Sequence, residues 1–467
     1  MTNLTFYGGV NQIGGNKILI EDRRSDASVF LDFGMNFTEH SRYFEEFIQP
    51  RTANGMMDLL ELGIIPNIKG IYRHDLLEFA KMDKHKEPIV DAVILSHAHL
   101  DHAAHISFLD ERITIFCSEI TKTILKVLQK VGRRSMEYEV FDFKRRPVLN
   151  YRGAAVERKF NTVKGKFNVN GLEMELVPVD HSIPGACGVI IYGSDKTIAY
   201  TGDLRMHGTD AHLTEEFVER VKIAKPDLFL CEGTRIDETE RNTEAYVKVN
   251  SEKAVSEAEG LAIADFAFKD LTRFNTFFEV AKESKRKLAI PFKDAYYVRE
   301  LAKIISRTPN IKNDDILLYQ KKKGSGTYRE NDYDDWELEF LDWPNTVKAD
   351  YIHKHQKEIV VALGYYDMPD LVDLKPNKSS IYIKSASEAH NEEERIDLNR
   401  LGNWLSHFGL DYKHVHASGH APSTDIVKMI NEVKPKLLIP IHTEKPDEFS
   451  KLVSNKIEIE LPSLPKG

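Results

Sequence analysis

Residues 91–102 read Asp-Ala-Val-Ile-Leu-Ser-His-Ala-His-Leu-Asp-His, an apolar run that gives way abruptly to His97, His99, Asp101 and His102. The run has the character of a buried strand, so four potential ligands sit within six residues at its C-terminal end. Neutral imidazole and carboxylate are the donors that hold zinc or manganese at about 2.0–2.2 Å. A loop here can turn His97 and His99 toward one ion and Asp101 and His102 toward a second. Histidine is an uncommon residue. Three of them with an aspartate in so short a span argue against a chance cluster in a solvated turn.

The same design recurs downstream. LEMELVPVD (172–180) ends at His181, and KTIAY (196–200) runs into Thr201-Gly202-Asp203. An aspartate between two cations can give one oxygen to each, which fixes their spacing near roughly 3.5–4 Å. PDLFLCEGT (226–234) repeats the pattern with Glu232. Upstream, LTFYGG, KILIED and ASVFLDFG are short apolar runs broken by glycine, as in strands joined by tight turns. From about Asp237 the character changes. Helical periodicity alternates with short buried strands, including KEIVVALG and SSIYIKSAS, as in an α/β unit with a parallel sheet. The tail returns to the first theme. EERIDLNRLGNWLSHFG reads as an amphipathic helix, DYKHVHASGHA as a strand ending in a loop, and STDIVKMINEVK as a helix capped by Ser423 or Thr424. KPKLLIPIHTE is a last strand, carrying His442 at its end.

Bulk composition narrows the class. Apolar residues make up 42% and charged residues 29% of 467, a globular composition with room for two or three domains. No apolar stretch approaches the roughly 18–20 residues that span a bilayer, so no membrane partner is expected. MTNLTFYGGV lacks the basic start and apolar run of a secretory signal. Cys117, Cys187 and Cys231 are too few and scattered for a disulfide framework. A cytoplasmic enzyme is the simplest reading. The net charge of -9 weighs against a polyanionic substrate. Net charge does not set the potential inside one cleft, however, and two divalent cations would add about four positive charges there.

HAHLDH, His181, the TGD of Asp203 and a late histidine resemble the metallo-β-lactamase superfamily. Glu232 in LFLCEGT, His420 in ASGHA and His442 in IPIHTE resemble the three further motifs of its β-CASP branch, whose members are nucleases. Within that branch the sequence is most similar to the ribonuclease J family, especially the shorter archaeal type. GGVNQIGGN (8–16) and LDFGMNF (31–37) match that family's N-terminal segments. The resemblance implies a four-layer αβ/βα fold built from 1–236 and 395–467, with an inserted β-CASP α/β domain at 237–394. It also implies two divalent ions, zinc first and manganese as the alternative. His97, His99 and His181 would bind one ion, Asp203 would bridge, and Asp101, His102 and His442 would complete the second. A water activated by both ions would attack the phosphodiester bond of single-stranded RNA, 5′ to 3′ from a 5′-monophosphate end. Asp101 would orient or deprotonate that water, His420 would contact the phosphate or act as general acid, and Glu232 would position His420. Ser418, Gly419 and His420 would form the phosphate pocket. Bacterial relatives carry a further C-terminal domain. This sequence ends 25 residues past His442 and is expected to lack it, leaving a homodimer to the core.

Endonucleolytic cutting, DNA processing and, more remotely, a small-molecule hydrolase remain as rival readings. Ser385 and Ser387 are candidate donors to the same phosphate pocket, with ordinary turn chemistry an equal reading. Gly132-Arg133-Arg134, Lys144-Arg145-Arg146 and Arg273 offer charge for an RNA channel, although solvated charged faces are the commoner explanation. GGVNQIGGN lacks the strand and helix context of a nucleotide-binding loop and reads as turn glycines. His105, His390, His414 and His416 fit no ligand position and read as structural.

Overall fold

The computed structural model describes residues 1–132, 135–146, 154–387, 392–454 and 456–465, so Arg133, Arg134 and His390 lie outside it. The chain divides into two compact units. One comprises Met1–Met206, Asp210–Glu240 and the chain from Gly419 on; the other comprises His207–Thr209 and Arg241–Ser418.

The first unit is built on two sheets. Strands Thr2–Gly8, Lys17–Asp22, Ala27–Leu31, Ala92–Ile94, Thr114–Cys117 and Phe160–Thr162 form one, in that order. The second runs Glu458–Ile459, Leu437–Ile441, Leu228–Glu232, Thr197–Tyr200, Cys187–Tyr192, Leu172–Pro178, Gly165–Val169. Strand side chains alternate between faces. Ile18, Ile20, Val29 and Leu31 of the first sheet therefore share a core with Met174, Val189, Ile191, Ile198 and Ile439 of the second. The other face of the second sheet presents Ile190, Ala199, Phe229 and Leu438. There they meet Phe217 and Val221 of helix Ala211–Ala224, and Ile426, Met429 and Ile430 of helix Ser423–Val433. Helix Glu119–Val131, capped by Ser118 Oγ accepting from Thr121 N at 3.1 Å, lies against the first sheet at Phe160–Thr162. The layers are thus helix, sheet, sheet, helix, the αβ/βα order expected from the sequence.

The second unit holds one seven-stranded sheet, ordered Thr346–Val347, Ile316–Tyr319, Lys287–Pro291, Ile359–Ala362, Ala262–Asp265, Ile381–Lys384, Asp411–His414. Every pairing in it is parallel. Its central strands are buried on both faces, which is why they read as unbroken apolar runs. Helix Glu392–Phe408 packs through Leu401 and Leu405 into this unit's core. Strand Asp411–His414 pairs with Ile381–Lys384. The return to the first unit, expected at 395, comes in this division at Gly419.

One local reading changes. The cap expected at Ser423 or Thr424 is absent: Pro422 holds the cap position, and Ser423 Oγ donates to the Glu238 carbonyl at 2.8 Å instead. Lys17 opens a buried strand, with its Nζ donating to the Gly15 carbonyl at 3.3 Å and lying over the Phe33 ring at 5.6 Å. Burial drags its pKa down to about 7. Among the described residues no helix is long and apolar enough to cross a membrane.

Candidate metal centre

Five of the seven proposed ligands stand in or beside loops at strand ends, and Asp101 and His102 lie on the short helix Leu100–Ala103. His97 and His99 follow strand Ala92–Ile94, His181 follows Leu172–Pro178, Asp203 follows Thr197–Tyr200, and His442 follows Leu437–Ile441. All belong to the first unit.

The side chains gather as two groups that share Asp203. In one, His99 Nδ1 is 3.1 Å from both His97 Nε2 and His181 Nε2. Asp203 Oδ2 lies 3.6 Å from His97 Nε2 and 3.8 Å from His181 Nε2. In the other, His102 Nε2 is 3.1 Å from Asp203 Oδ2 and 3.2 Å from His442 Nε2. Asp101 Oδ2 stands 3.3 Å from His442 Nε2.

These donors fit divalent ions. Neighbouring corners of a tetrahedron with bonds of about 2.0–2.1 Å lie roughly 3.3 Å apart, close to the nitrogen–nitrogen spacings here. Asp203 Oδ1 is buried without a hydrogen-bond partner, which is costly unless something electropositive faces it. Electrostatics agree. Burial holds His97 and His181 well below the usual imidazole range, keeping them neutral as ligands must be. Burial would lower His102 as well, but Asp203, Asp101 and Asp32 raise it well above that range, so an ion bound there would take the place of its Nε2 proton. Burial would raise Asp203, but His102 and His442 pull it far below the usual carboxylate range.

Behind the ligands stand residues that sequence reasoning had passed over. Asp32 Oδ2 accepts from His102 Nδ1 at 2.7 Å, Ser96 Oγ at 2.7 Å and Tyr200 OH at 2.5 Å. Asp32 Oδ1 accepts from Ser96 N at 2.7 Å, and Asn16 Nδ2 donates to Tyr200 OH at 2.9 Å. Thr234 Oγ1 meets His442 Nδ1 at 2.9 Å, and the Gly419 carbonyl accepts from His181 Nδ1 at 2.6 Å. Such contacts fix tautomer and ring orientation. The glycine stretch also presses on the ligand loop. Gly14 has φ +76°, and a Cβ there would lie 2.8 Å from Asp101 Cβ; at Gly34 it would lie 1.7 Å from the Asp101 carbonyl oxygen. Asn16, Asp32, Gly14 and Gly34 lie in GGVNQIGGN and LDFGMNF, whereas Ser96, Tyr200 and Thr234 lie inside the ligand motifs, and Gly419 was already a phosphate-pocket candidate.

His420 Nδ1 lies 3.1 Å from Glu232 Oε1. Burial opposes the charge on His420, but Glu232 lifts its pKa to about 9. Glu232 is itself held by Leu204 N at 3.0 Å and Thr234 N at 3.1 Å. The His420 ring stands 5.0 Å from His181 and 5.8 Å from His442. Glu232, Gly419 and His420 are thus brought to the ligand cluster. Ser418 falls in the second unit, where its carbonyl meets His207 Nε2 at 3.0 Å.

The weaker candidates resolve differently. Arg273 neither lines a channel nor faces solvent: it is buried, pairs with Glu244 at 3.0 Å, and donates to Ser385 Oγ at 2.6 Å and the Ala417 carbonyl at 3.0 Å. Ser385 is buried with it and donates to the Val415 carbonyl; Ser387 is exposed. Arg145 pairs with Glu111 at 2.5 Å, and Arg146 is buried. His105, His414 and His416 stay outside the ligand groups.

Comparison with known proteins agrees with this geometry. Residues 72–266 match the beta-lactamase superfamily domain, and residues 410–462 match the Zn-dependent metallo-hydrolase RNA specificity domain. Ribonuclease J of Mycoplasma pneumoniae is 24% identical over 464 residues, covering 95% of this chain and 68% of that protein. Ribonuclease J of Pyrococcus abyssi is 23% identical over 460 residues, covering 95% and 90%. A crystal structure of a protein of unknown function from Enterococcus faecalis V583 shares the fold, with a TM-score of 0.72 at 23% identity over 100% of this chain and 98% of that one. With its sandwich of sheets, its histidine and aspartate cluster and matches along nearly its whole length, the chain is a metal-binding hydrolase of the metallo-β-lactamase superfamily and belongs to the ribonuclease J family of its β-CASP branch.

Proposed function

We propose that this chain hydrolyses the phosphodiester bonds of single-stranded RNA, 5′ to 3′ from a 5′-monophosphate end, with two divalent ions at the shared-aspartate cluster. The observation that carries the reading is the pair of ligand groups meeting at Asp203, whose buried Oδ1 has no hydrogen-bond partner among the described residues. His97, His99 and His181 would hold one ion; Asp101, His102 and His442 would hold the other; Asp203 would serve both. Bound there, the ions would supply Lewis acidity and lower the pKa of a water toward neutrality. Zinc is our first choice, and manganese suits the same donors.

The chain's own groups then divide the proton work. Asp101 orients the attacking water and receives its proton. His420 carries a proton at neutral pH because Glu232 stabilises the imidazolium, which suits a general acid for the leaving oxygen. Ser418 and the backbone N–H of Gly419 would receive a substrate phosphate beside His420. We assign the first unit, which the chain re-enters at Gly419 and not at 395, as the metallo-β-lactamase domain and the second unit as the β-CASP domain. We also assign the protein as a cytoplasmic homodimer, which sedimentation and fractionation would test.

The deciding experiment offers RNA labelled at a 5′-monophosphate or a 5′-triphosphate end, with a DNA strand of the same sequence beside them. Mononucleotides released from the monophosphate RNA support the reading. Internal fragments from both ends would replace it with endonucleolytic cutting, and equal cutting of DNA would remove the RNA preference.

A further inference from the structure

A second group of ligand-type side chains lies in the first unit, apart from the centre described above. It joins three segments. His74 opens helix His74–Phe79, His85 lies in the loop that follows, and Asp110 precedes strand Thr114–Cys117. His74 Nε2, His85 Nε2 and one Asp110 oxygen all lie within 4.8 Å of one another. Asp110 Oδ2 is 2.9 Å from His85 Nε2 and 3.7 Å from His74 Nε2, and the two rings meet edge to face at 4.6 Å. Asp110 is buried and His74 half-buried, so the cluster opens on one side.

A positive group already occupies it. Arg112 Nη2 stands 2.8 Å from Asp110 Oδ2 and 3.2 Å from His74 Nε2, where the lone pairs of both converge. The guanidinium has other anchors: Nη1 donates to the Lys86 carbonyl at 2.6 Å and to Glu87 Oε2 at 3.1 Å, and Nε donates to Asp110 Oδ1 at 2.9 Å. Its contact with Asp110 Oδ2 can therefore be given up without stranding the charge. His85 Nε2 donates to the Asp110 carboxylate, and Nδ1 has no partner among the described residues, so the proton can move to Nδ1 and leave Nε2 free for an ion.

We propose that His74, His85 and Asp110 form a separate site for a borderline divalent transition ion such as Zn²⁺, with Arg112 as the resident cation that the ion displaces. Two imidazole nitrogens and one carboxylate oxygen are a donor set that such ions take with exchangeable waters completing the shell. An ion there ties helix His74–Phe79 and its following loop to the segment before strand Thr114–Cys117. It stabilises the fold by binding the native state alone.

The test uses the full chain, saturated at its main centre, and equilibrium dialysis against Zn²⁺ with elemental analysis. Wild type should hold one more equivalent than His74→Ala/His85→Ala, while the two cleave RNA equally. Arg112→Gln should tighten the extra equivalent at least tenfold. The thermal midpoint of wild type should rise with added Zn²⁺ beyond that of the double variant. Equal stoichiometry in wild type and double variant overturns the proposal, as does an Arg112→Gln chain that binds no tighter. Loss of RNA cleavage in all chains alike would instead count against the function proposed for the main centre.

Discussion

His442 Nε2 lies 3.2 Å from His102 Nε2, although 340 residues of chain separate the two. A contact of that length, between an imidazole that follows strand Leu437–Ile441 and one in the first motif, suits two ligands of one proposed ion. Replacing His442 with alanine should therefore leave the group around His97, His99 and His181 able to hold an ion and empty the other. Elemental analysis should find one ion per chain lost and RNA cleavage abolished. A variant that kept its full metal content would remove His442 from the ligand set.

Asp32 should matter almost as much as a ligand, because its carboxylate accepts from His102, Ser96 and Tyr200 at once. Asp32→Asn retains the shape but cannot accept from every donor. We expect metal affinity or turnover to fall roughly 10- to 100-fold, measured by competition with a chelating dye and by initial rates. Tyr200→Phe removes one donor and should fall short of that loss.

Glu232→Gln tests the positioning of His420. With the carboxylate gone, the charge that holds the imidazolium 3.1 Å away is gone too. Turnover should drop by about 10² or more, with KM and metal content little changed. A fall in metal content would assign Glu232 to ligand support instead.

Lys17 predicts a stability that depends on pH. Its folded pKa of about 7 lies below the unfolded lysine value of about 10.4. Below about pH 7 both states carry the proton, and the fold bears the full cost of a buried ammonium. Between about pH 7 and 10 the folded chain sheds its proton first, so stability rises with pH. Lys17→Met should therefore stabilise the protein by on the order of a few kcal/mol below pH 7, and the gain should shrink toward pH 10. Urea unfolding at about pH 6 and pH 9 reads this directly; equal gains at both would exclude it.

Arg273 offers a control within the second unit. Removing it takes the paired guanidinium from the buried carboxylate of Glu244 and a donor from Ser385, so Arg273→Ala should cost about 3–5 kcal/mol of unfolding free energy. Undiminished stability with weakened RNA binding would return it to a substrate channel.

Much of this was legible in the sequence because its chemistry is local. HAHLDH, Asp203 and His442 each follow an apolar strand, and strand runs and helical periods survive in one dimension. Other features depend on register. Asp32 meets Tyr200 only because two separate sheets bring their ends together, and no spacing in LDFG announces that. Arg273 read as a surface charge, since its partners Glu244 and Ser385 lie 29 and 112 residues away. Strand Asp411–His414 is charged and sits at a sheet edge, so its pairing in the second unit was hidden by its composition. Ser423 followed the capping statistics, but a tertiary acceptor, the Glu238 carbonyl, claimed its hydroxyl.

The backbone N–H of His442 donates to the Gly9 carbonyl at 2.8 Å, which hangs the final ligand on the opening strand. A ribosome making this chain must pass position 442 before the second group of donors is complete. A nascent chain shorter than that would have no complete second group with which to cut RNA.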